Sequence, residues 1–254
     1  MMLLLSCAKT MSRKSEIKPP FATEPTYAKE ASYIIGRLLQ YDAEELKKIL
    51  KIPDRIAAEN LLRYQDFHST TTTSLQALLA YTGIVFKNIS PEDFSQEDFE
   101  YAQNHLRITS FCYGLLRPMD LIKPYRLEGD VDLSESGTEN MYAYWNKRLT
   151  EGFISEIKKT GGILFNLASN EMKYLFDWKR IESECHIITP QFKLIKNGKM
   201  KTIVIYTKMA RGAMTRFILK NRIENPEILK TFTWEGFHFD PTLSDDKNYI
   251  FTLE

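Results

Sequence analysis

The sequence is poor in cysteine and has no long hydrophobic run, and each absence excludes a class of protein. Its 254 residues include three cysteines, Cys7, Cys112 and Cys185, at wide and unpatterned spacing. Such spacing does not build the disulfide framework of a small secreted domain, and it favours a reducing compartment. No stretch approaches the roughly 20 apolar residues that a membrane-spanning helix needs. We therefore predict a cytoplasmic protein without membrane association.

The N-terminus carries a short apolar run. Residues 1–5 lead into Ser6 and Cys7, in a pattern that resembles the end of a lipoprotein signal. No basic residue precedes the run, and its apolar core is much shorter than that of a secretory signal. A buried first strand over Leu3–Leu5 that enters a turn at Ser6-Cys7-Ala8 is the better interpretation.

Motifs for metal and nucleotide binding are also absent. The four histidines and three cysteines show no CxxC, HxxxH or HExxH spacing, and neither a Walker loop nor GxGxxG occurs. Ser6-Cys7-Ala8-Lys9 and Lys159-Thr160-Gly161 imitate motifs of penicillin-recognising enzymes. That chemistry needs the Lys-Thr-Gly on a strand, whereas here it ends a predicted helix. We predict neither a bound metal nor a cofactor.

Acidic residues are missing from one long segment. No Asp or Glu lies between Cys185 and Ile223, although the whole chain is nearly neutral, with 34 basic and 33 acidic residues. The basic residues of this segment are Lys193, Lys196, Lys199, Lys201, Lys208, Arg211, Arg216, Lys220 and Arg222. A segregated positive field is typical of proteins that bind phosphates, nucleic acid or an anionic partner. A solvated face without a partner is the alternative.

The first half of the chain is predicted to be mostly helical. Apolar residues recur at helical spacing, and Asp42-Ala43-Glu44-Glu45 has the pattern of a capping box. The predicted helices cover residues 27–40, 42–51, 53–64, 74–81 and 99–111. Gly114 and Arg117-Pro118 then favour an irregular loop over 115–140.

The second half contains most of the predicted strands, and Asn197-Gly198 is a strong hairpin signal. Strands or β-rich segments are predicted over 163–167, 187–195, 199–206, 232–239 and 249–253, and helices over 141–159 and 209–222. This order predicts an α+β fold in one domain spanning 1–254. Its helical N-terminal half would pack around a sheet formed mainly by the C-terminal half, which the Leu3–Leu5 strand joins.

A loop over residues 115–129 combines rigidity with positive charge. Its cations are Arg117, Lys123 and Arg126, and two prolines restrict its backbone. Because proline lowers the entropy cost of ordering a loop, this segment is suited to contact phosphates or base edges. Equally, Arg117 and Arg126 could pair with Asp120, Glu128 or backbone carbonyls to hold a turn.

A second cationic group lies in the predicted helix near residue 209. Lys208, Arg211 and Thr215 share one face at helical spacing. Gly212 would let a backbone or a ligand approach closely, at a cost of about 1 kcal/mol in helix propensity. An amphipathic surface helix with a solvated face is the alternative, but it leaves the glycine unexplained.

Four motifs follow one another along the chain. They are Leu5-Ser6-Cys7-Ala8-Lys9-Thr10, Leu116-Arg117-Pro118-Met119-Asp120-Leu121-Ile122-Lys123-Pro124-Tyr125-Arg126-Leu127-Glu128, Phe165-Asn166-Leu167-Ala168-Ser169-Asn170-Glu171 and Lys208-Met209-Ala210-Arg211-Gly212. Together they resemble the bacterial YaaA peroxide-stress family, from end to end and in the same order. Two positions depart from the family's usual pattern. Cys7 replaces a proline and puts a thiol near the candidate site, and Asn170 replaces an aspartate and removes a carboxylate.

The resemblance implies a cytoplasmic protein that helps cells survive hydrogen peroxide by keeping free intracellular iron low. It also implies a one-domain mixed fold with a positively charged cleft, and DNA binding through a helix-hairpin-helix-like element. The matching positions are Lys9, Thr10, Arg117, Lys123, Arg126, Asn166, Ser169, Glu171, Lys208 and Arg211.

Two hypotheses about function follow, both for a protein that is favoured to be a monomer. In the first, Lys and Arg side chains neutralise the phosphates of duplex DNA, so that binding depends strongly on salt. In the second, the protein is an enzyme that acts on a small anionic, nucleotide-like substrate. Lys9 would be a nucleophile or electrostatic clamp and Glu171 a general acid or base, while arginines at 117, 126 and 211 would hold the anion.

The two hypotheses predict different arrangements of the same side chains. Convergence in an enclosed pocket favours the enzyme, whereas cations spread along an open groove favour DNA. Direct sequestration of iron is disfavoured, because no ligand spacing matches and a positive segment repels Fe²⁺.

Overall fold

A computed structural model describes residues 1–134 and 139–254, and its centre is an eight-stranded mixed sheet. The strands are β1 (Met2–Leu5), β2 (Leu75–Gln76), β3 (Leu106–Ser110), β4 (Gly114–Leu116), β5 (Leu121–Ile122), β6 (Ile163–Asn166), β7 (His186–Lys196), β8 (Lys199–Lys201), β9 (His238–Phe239) and β10 (Asn248–Leu253). The large sheet has the order β4-β3-β1-β6-β7-β10-β9, with β8 paired to β7, while β2 and β5 form a separate two-stranded ribbon.

The central strands run parallel. β1 pairs in parallel with β3 and with β6, β6 with β7, and β7 with β10. The pairs β3–β4, β7–β8 and β9–β10 are antiparallel. The carboxyl ends of β1, β3 and β6 therefore meet at one edge of the sheet, the edge at which open α/β sheets bind their ligands.

Nine α-helices in the described residues cover the sheet. They are α1 (Ala28–Leu38), α2 (Ala43–Leu50), α3 (Asp54–Gln65), α4 (Ala77–Ala80), α5 (Ile84–Ile89), α6 (Gln96–His105), α7 (Met141–Lys159), α8 (Trp178–Glu184) and α9 (Val204–Asn221). Three short 3₁₀ turns occupy Pro91–Asp93, Asn170–Leu175 and Pro226–Thr231. The α+β prediction is confirmed, since five of the eight strands in the main sheet come from the second half of the chain.

The N-terminal apolar run forms the central strand β1, as predicted. Leu3 and Leu4 are completely buried, and the register places Leu4 between Arg107 of β3 and Asn166 of β6. A parallel strand covered on both faces needs a continuous apolar run rather than an alternating one. Full burial of each leucine stabilises the fold by about 1.5–3 kcal/mol.

Two locally encoded elements match the sequence prediction. Asp42 accepts a hydrogen bond from the Glu45 backbone, and the Glu45 carboxylate accepts one from the Asp42 backbone, which completes the capping box of α2. Asn197 and Gly198 both have positive φ, at 53° and 69°, and connect β7 to β8. These are the backbone angles that make Asn-Gly a favourable two-residue hairpin loop.

The predicted helix over 99–111 is wrong in its second half. Helix α6 ends at His105, and β3 begins at Leu106 with every residue buried. Pairing with β1 on one side and β4 on the other overrides the helical periodicity of this segment. The predicted loop over 115–140 likewise contains β4 and β5, and its residues 135–138 lie outside the described part of the chain.

The predicted strand over 199–206 is also wrong beyond its first three residues. Strand β8 covers only Lys199–Lys201, and α9 begins at Val204 rather than near residue 209. Similarly, the segment over 232–239 contributes only the short strand β9, and the helix predicted over 74–81 is reduced to α4 after the short strand β2. In each case the partners that decide the conformation are distant in sequence.

Helix α9 packs closely on α5 at Gly212. A methyl group at this position would overlap the carbonyl oxygen of Val85 and lie 2.7 Å from Asn88 Cβ. The glycine therefore serves a close backbone approach, one of the two explanations that the sequence offered. This contact fixes the position of α9, and with it the side chain of Arg211.

Candidate functional site

A cavity of about 320 Å³ lies at the carboxyl ends of the central strands. We call it the strand-end cavity. Its walls come from residues 5–10 after β1, Phe111 after β3, residues 125–128, and residues 167–172 after β6. Residues 83–86 at the start of α5 and two cations of α9 complete the lining. Segments far apart in sequence thus meet here because their parallel strands end at the same edge.

The strand-end cavity has a positive charge balance. Lys9, Arg126, Lys208 and Arg211 line it together with two carboxylates, so four positive and two negative charges leave +2. Four segments of the chain contribute these six groups. The four cations thus converge on one partly enclosed cavity and do not form a row along an open groove.

Glu128 holds two of the cations in place. Its Oε2 lies 2.9 Å from Lys9 Nζ, and its Oε1 lies 2.7 Å from Arg126 Nη2. Oε1 has no hydrogen-bond donor with suitable geometry, so the contact with Arg126 is an ion pair without a hydrogen bond. The buried Nε of Arg126 also has no partner among the described residues. Both side chains thus retain unused hydrogen-bonding capacity.

Arg211 is the least satisfied cation of the cavity. Among the described residues its guanidinium makes no ion pair, and its buried Nε has no hydrogen-bond partner. Burial lowers the pKa of Arg211, although an arginine stays protonated in proteins. A buried positive charge without a counter-charge is costly, because desolvation is not offset by pairing. An anion in the cavity would supply the missing partner.

A chain of hydroxyl groups connects β1 to the turn after β6. The Ser169 backbone donates to Ser6 Oγ at 2.9 Å, and the two hydroxyl oxygens lie 3.2 Å apart. Ser169 Oγ donates in turn to Glu171 Oε1 at 3.2 Å. Since the Ser169 proton is used toward Glu171, Ser6 is the donor between the two hydroxyls. The chain therefore runs from Ser6 through Ser169 to a carboxylate at the cavity.

Cys7 lines the same cavity but is not an activated thiol. Burial, and to a smaller extent the charges of Glu128 and Glu171, raise the pKa of Cys7 to about 12. The thiolate is the reactive form of cysteine, so Cys7 is a weak nucleophile at neutral pH.

Asn166 and Thr10 occupy the margins of the site. Asn166 is buried at the end of β6, where its Oδ1 accepts a hydrogen bond from the Ala168 backbone at 3.2 Å. Its buried Nδ2 has no partner in the described part of the chain. Thr10 lines the cavity, and its carbonyl accepts a hydrogen bond from the Thr82 backbone at 3.0 Å.

Arg117 and Lys123 lie outside the strand-end cavity. Arg117 donates to Asp120 Oδ1 from Nε at 3.0 Å and from Nη2 at 2.8 Å. Lys123 Nζ donates to the carbonyl oxygens of Phe67 and Ser69 at 2.6 and 2.8 Å. These contacts hold the loop against the body of the protein. A role for either side chain in binding an anion stays a prediction.

The acid-free segment is partly neutralised by distant acids. Arg216 lies 2.6 Å from Asp93, and Lys220 and Arg222 each lie 3.0 Å from Asp98. The positive field of the second half of α9 is therefore largely paired in the fold. The sequence showed a segregation of charge along the chain, but these pairs remove part of it in space.

The remaining cations of the segment lie around the β7–β8 hairpin (residues 186–201) and the start of α9. Lys193, Lys196, Lys199, Lys201 and Lys208 form no ion pair with any described residue. Lys193 Nζ donates to Thr202 Oγ1 at 3.0 Å. The tip of the hairpin is exposed, and so are Val204, Ile205 and Tyr206 beside it.

Sequence reasoning missed Ser6 as a site residue and considered Glu128 only as a structural partner. The signal for both was position, because Ser6 directly follows a buried strand and Glu128 lies two residues after Arg126. In the part of the chain that the structure describes, no group of three or more His, Cys, Asp or Glu side chains is placed to hold a metal ion. No helix in that part is both long and apolar enough to cross a bilayer.

Comparison with known proteins places the chain in a family. A family model described as the peroxide stress protein YaaA matches residues 1–243. A UPF0246 protein of Bacteroides fragilis is 60% identical over 252 residues, which cover 99% of this chain and 98% of that protein. UPF0246 proteins of Porphyromonas gingivalis and Crocosphaera subtropica are 43% and 37% identical, with at least 99% of each chain covered. The chain therefore belongs to the YaaA family of peroxide stress proteins.

Proposed function

We propose that the protein acts in the peroxide stress response by binding a phosphate-bearing, nucleotide-sized ligand in the strand-end cavity. The observation that carries the proposal is the guanidinium of Arg211, whose buried Nε has no hydrogen-bond partner among the described residues, in a cavity of net positive charge. Two oxygens of a tetrahedral phosphate group can accept hydrogen bonds from the planar fork of an arginine at the same time. Arg126 and Lys208 provide further positive charge for the same anion.

The size of the cavity supports a small ligand. About 320 Å³ is at the lower end of the range for small-molecule sites, roughly 300–1,000 Å³. A nucleotide, or one nucleotide withdrawn from the stack of a strand, is of this size. The open surface that an intact duplex needs is not offered by an enclosed cavity.

The proposal includes acid–base chemistry on the bound ligand. Glu171 would accept a proton from Ser169 as Ser169 accepts one from Ser6, which leaves the Ser6 oxygen able to take a proton from a water molecule. Lys9 serves as an electrostatic clamp. Its ion pair with Glu128 favours this role over that of a nucleophile, because an ammonium group has no lone pair.

Titration calorimetry with inorganic phosphate and a panel of nucleotides tests the proposal. We expect Arg211→Met to weaken binding at least tenfold, because a charge-assisted hydrogen bond contributes about 1.5–3 kcal/mol. Arg55→Met is the matched control, since Arg55 is exposed on α3 and does not line the cavity. Glu171→Gln should keep binding but abolish any turnover detected by phosphorus NMR. Equal affinities for the wild type and Arg211→Met would contradict the proposal.

Duplex DNA is a second candidate ligand, and the hairpin lysines favour it. Lys193, Lys196, Lys199, Lys201 and Lys208 lie in a region of the chain without carboxylates, and none is neutralised by an ion pair within the described residues. All of them except the half-buried Lys193 are exposed, and exposed lysines suit contacts with backbone phosphates, which carry little sequence information. The low free iron that the family resemblance implies would then be an indirect effect of binding DNA.

Salt dependence separates this candidate from the first. Five phosphate contacts predict that affinity for a duplex falls by roughly two to three orders of magnitude between 50 and 200 mM salt. Fluorescence anisotropy with the triple variant Lys196→Gln, Lys199→Gln, Lys201→Gln should show a shallower salt slope. Absence of binding at about 50 mM salt, or an unchanged slope in the variant, would rule out DNA binding by this surface.

A further inference from the structure

A second cavity, of about 330 Å³, lies on the other side of Arg211. It is bounded by the middle of β7, the start of β10, the turn after β6 and the first turns of α9. Its charged lining residues are Lys173, Lys193 and Arg211, and no carboxylate of the described residues lines it. Most of the remaining lining residues are threonine, asparagine or glutamine. The strand-end cavity has two carboxylates, so the two cavities differ in chemistry although they share Arg211.

The lining of the second cavity contains two buried donors without partners. Thr207 Oγ1 and Arg211 Nε make no hydrogen bond with any described residue. The two residues are four positions apart on α9, so they lie on one face of the helix, one turn from each other. Buried polar groups are nearly always hydrogen-bonded, and two orphaned donors in one wall indicate a ligand that accepts hydrogen bonds.

The two lysines are also available to an anion. Lys193 Nζ donates to Thr202 Oγ1 at 3.0 Å, which orients it without neutralising it. Lys173 Nζ lies 5.0 Å from the centre of the Trp178 ring in a cation–π contact, and it forms no ion pair with any described residue. The second cavity thus combines three cations with several hydroxyl and amide groups. This lining is complementary to a multiply charged oxyanion.

We propose that the second cavity binds a phosphoryl group, and that a ligand with two phosphoryl groups spans both cavities across Arg211. The occupancy of the second cavity stands on its own residues, whereas the bridging ligand rests on the function proposed for the strand-end cavity. The ligand class is a nucleoside bisphosphate or the equivalent unit of a nucleic acid strand, in which a sugar separates two phosphates. Arg211 contacts both phosphates and links the two sites.

Variants confined to one cavity distinguish the two sites. Thr207→Val removes the orphaned hydroxyl with little change of shape, and Lys173→Met removes a charge; neither residue lines the strand-end cavity. Lys208→Met affects only the strand-end cavity. Arg55→Met, at an exposed position on α3 that lines neither cavity, is the control, and thermal melting followed by circular dichroism verifies that each variant folds.

The probes are inorganic phosphate, thymidine 5′-monophosphate and thymidine 3′,5′-bisphosphate, titrated by calorimetry. We expect the bisphosphate to bind at least tenfold more tightly than the monophosphate. Thr207→Val and Lys173→Met should each weaken the bisphosphate several-fold to tenfold and leave the monophosphate unchanged, while Lys208→Met weakens both. Competition by a single-stranded oligonucleotide would identify a strand, rather than a free nucleotide, as the source of the phosphates.

Two outcomes separate failure of this inference from failure of the proposed function. If folded Thr207→Val and Lys173→Met bind the bisphosphate and inorganic phosphate as the wild type does, the second cavity is not a phosphoryl site and the inference is overturned. If these variants lose inorganic phosphate while Lys208→Met retains it, the second site is supported and the strand-end cavity fails as the primary site.

Discussion

Arg211 and Gly212 are adjacent residues of α9 with different roles, one in the cavities and one in helix packing. Gly212 faces α5, where a side chain would overlap the Val85 carbonyl, while Arg211 lines both cavities. The glycine determines how close the helices lie, and the arginine's position depends on that spacing. The packing of α9 on α5 therefore determines where the Arg211 side chain lies in the cavities.

Gly212→Ala is predicted to destabilise the protein despite the higher helix propensity of alanine. Overpacking costs about 1–3 kcal/mol. The gain in helix propensity is about 1 kcal/mol, so overpacking in the upper part of its range outweighs that gain. Gly36→Ala is the matched control, because Gly36 lies in α1 and an added methyl group there meets no atom of the described residues within 4 Å. Urea unfolding should show a loss of stability for the first variant and a gain for the second. Equal shifts in the same direction would contradict the packing explanation.

At the scale of elements, local signals in the sequence were sufficient only where the structure is decided locally. The capping box at Asp42 and the hairpin at Asn197-Gly198 depend on residues within one turn, and both were predictable. The boundary between α6 and β3 depends on pairing with β1, about a hundred residues away along the chain. Sequence periodicity carries no information on that pairing, so the boundary at His105 could not be placed.

The candidate site shows the same limit. Motifs indicated Lys9, Arg126, Ser169 and Arg211 as site residues, and all four line the strand-end cavity. Whether a loop cation faces a cavity or a carbonyl depends on the path of the loop, which explains why Arg117 lies elsewhere. The shared position of Arg211 between two cavities is a property of the packed helix and has no signature in the sequence.

The contact between α6 and α9 should make stability depend on pH. Burial raises the pKa of Asp98, but hydrogen bonds from the Ser95 backbone and Lys220, with the charge of Arg222, outweigh it and leave this pKa below its ordinary value. A carboxyl group whose pKa is lowered by folding stabilises the protein above the unfolded pKa, near 3.9. That contribution is lost as the pH falls through the folded pKa.

Asp98→Asn is therefore predicted to destabilise the protein at pH 7 and to have a smaller effect below about pH 4. Thermal melting of the wild type and the variant from pH 7 to pH 3 measures this difference. Asp246→Asn, at an exposed position without an ion pair in the described residues, is the control and should leave the profile unchanged. A difference that is constant over this range would show that charge pairing is not the cause.

On the scale of the whole molecule, the fold divides the cations of the acid-free segment and of the strand ends into three groups. Those late in α9 are paired with Asp93 and Asp98, those at the β7–β8 hairpin are exposed, and those at the strand ends converge in a cavity. Only the second and third groups are available to an anion. The exposed cations attract anions only over about a Debye length, about 8–10 Å at physiological salt. Salt screens the charges in the cavity less, so these cations hold a bound anion more strongly.

Charge reversal in each group is predicted to show which of them supports survival of peroxide. In cells that lack the native protein, Arg211→Glu should abolish rescue from hydrogen peroxide while a duplex still binds at low salt, because the hairpin lysines are unchanged. Reversal of Lys196 and Lys199 to Glu should weaken duplex binding and leave the affinity for inorganic phosphate unchanged. If this hairpin variant loses rescue and Arg211→Glu retains it, DNA binding at the hairpin is the function in peroxide stress, and the strand-end cavity is not required for it.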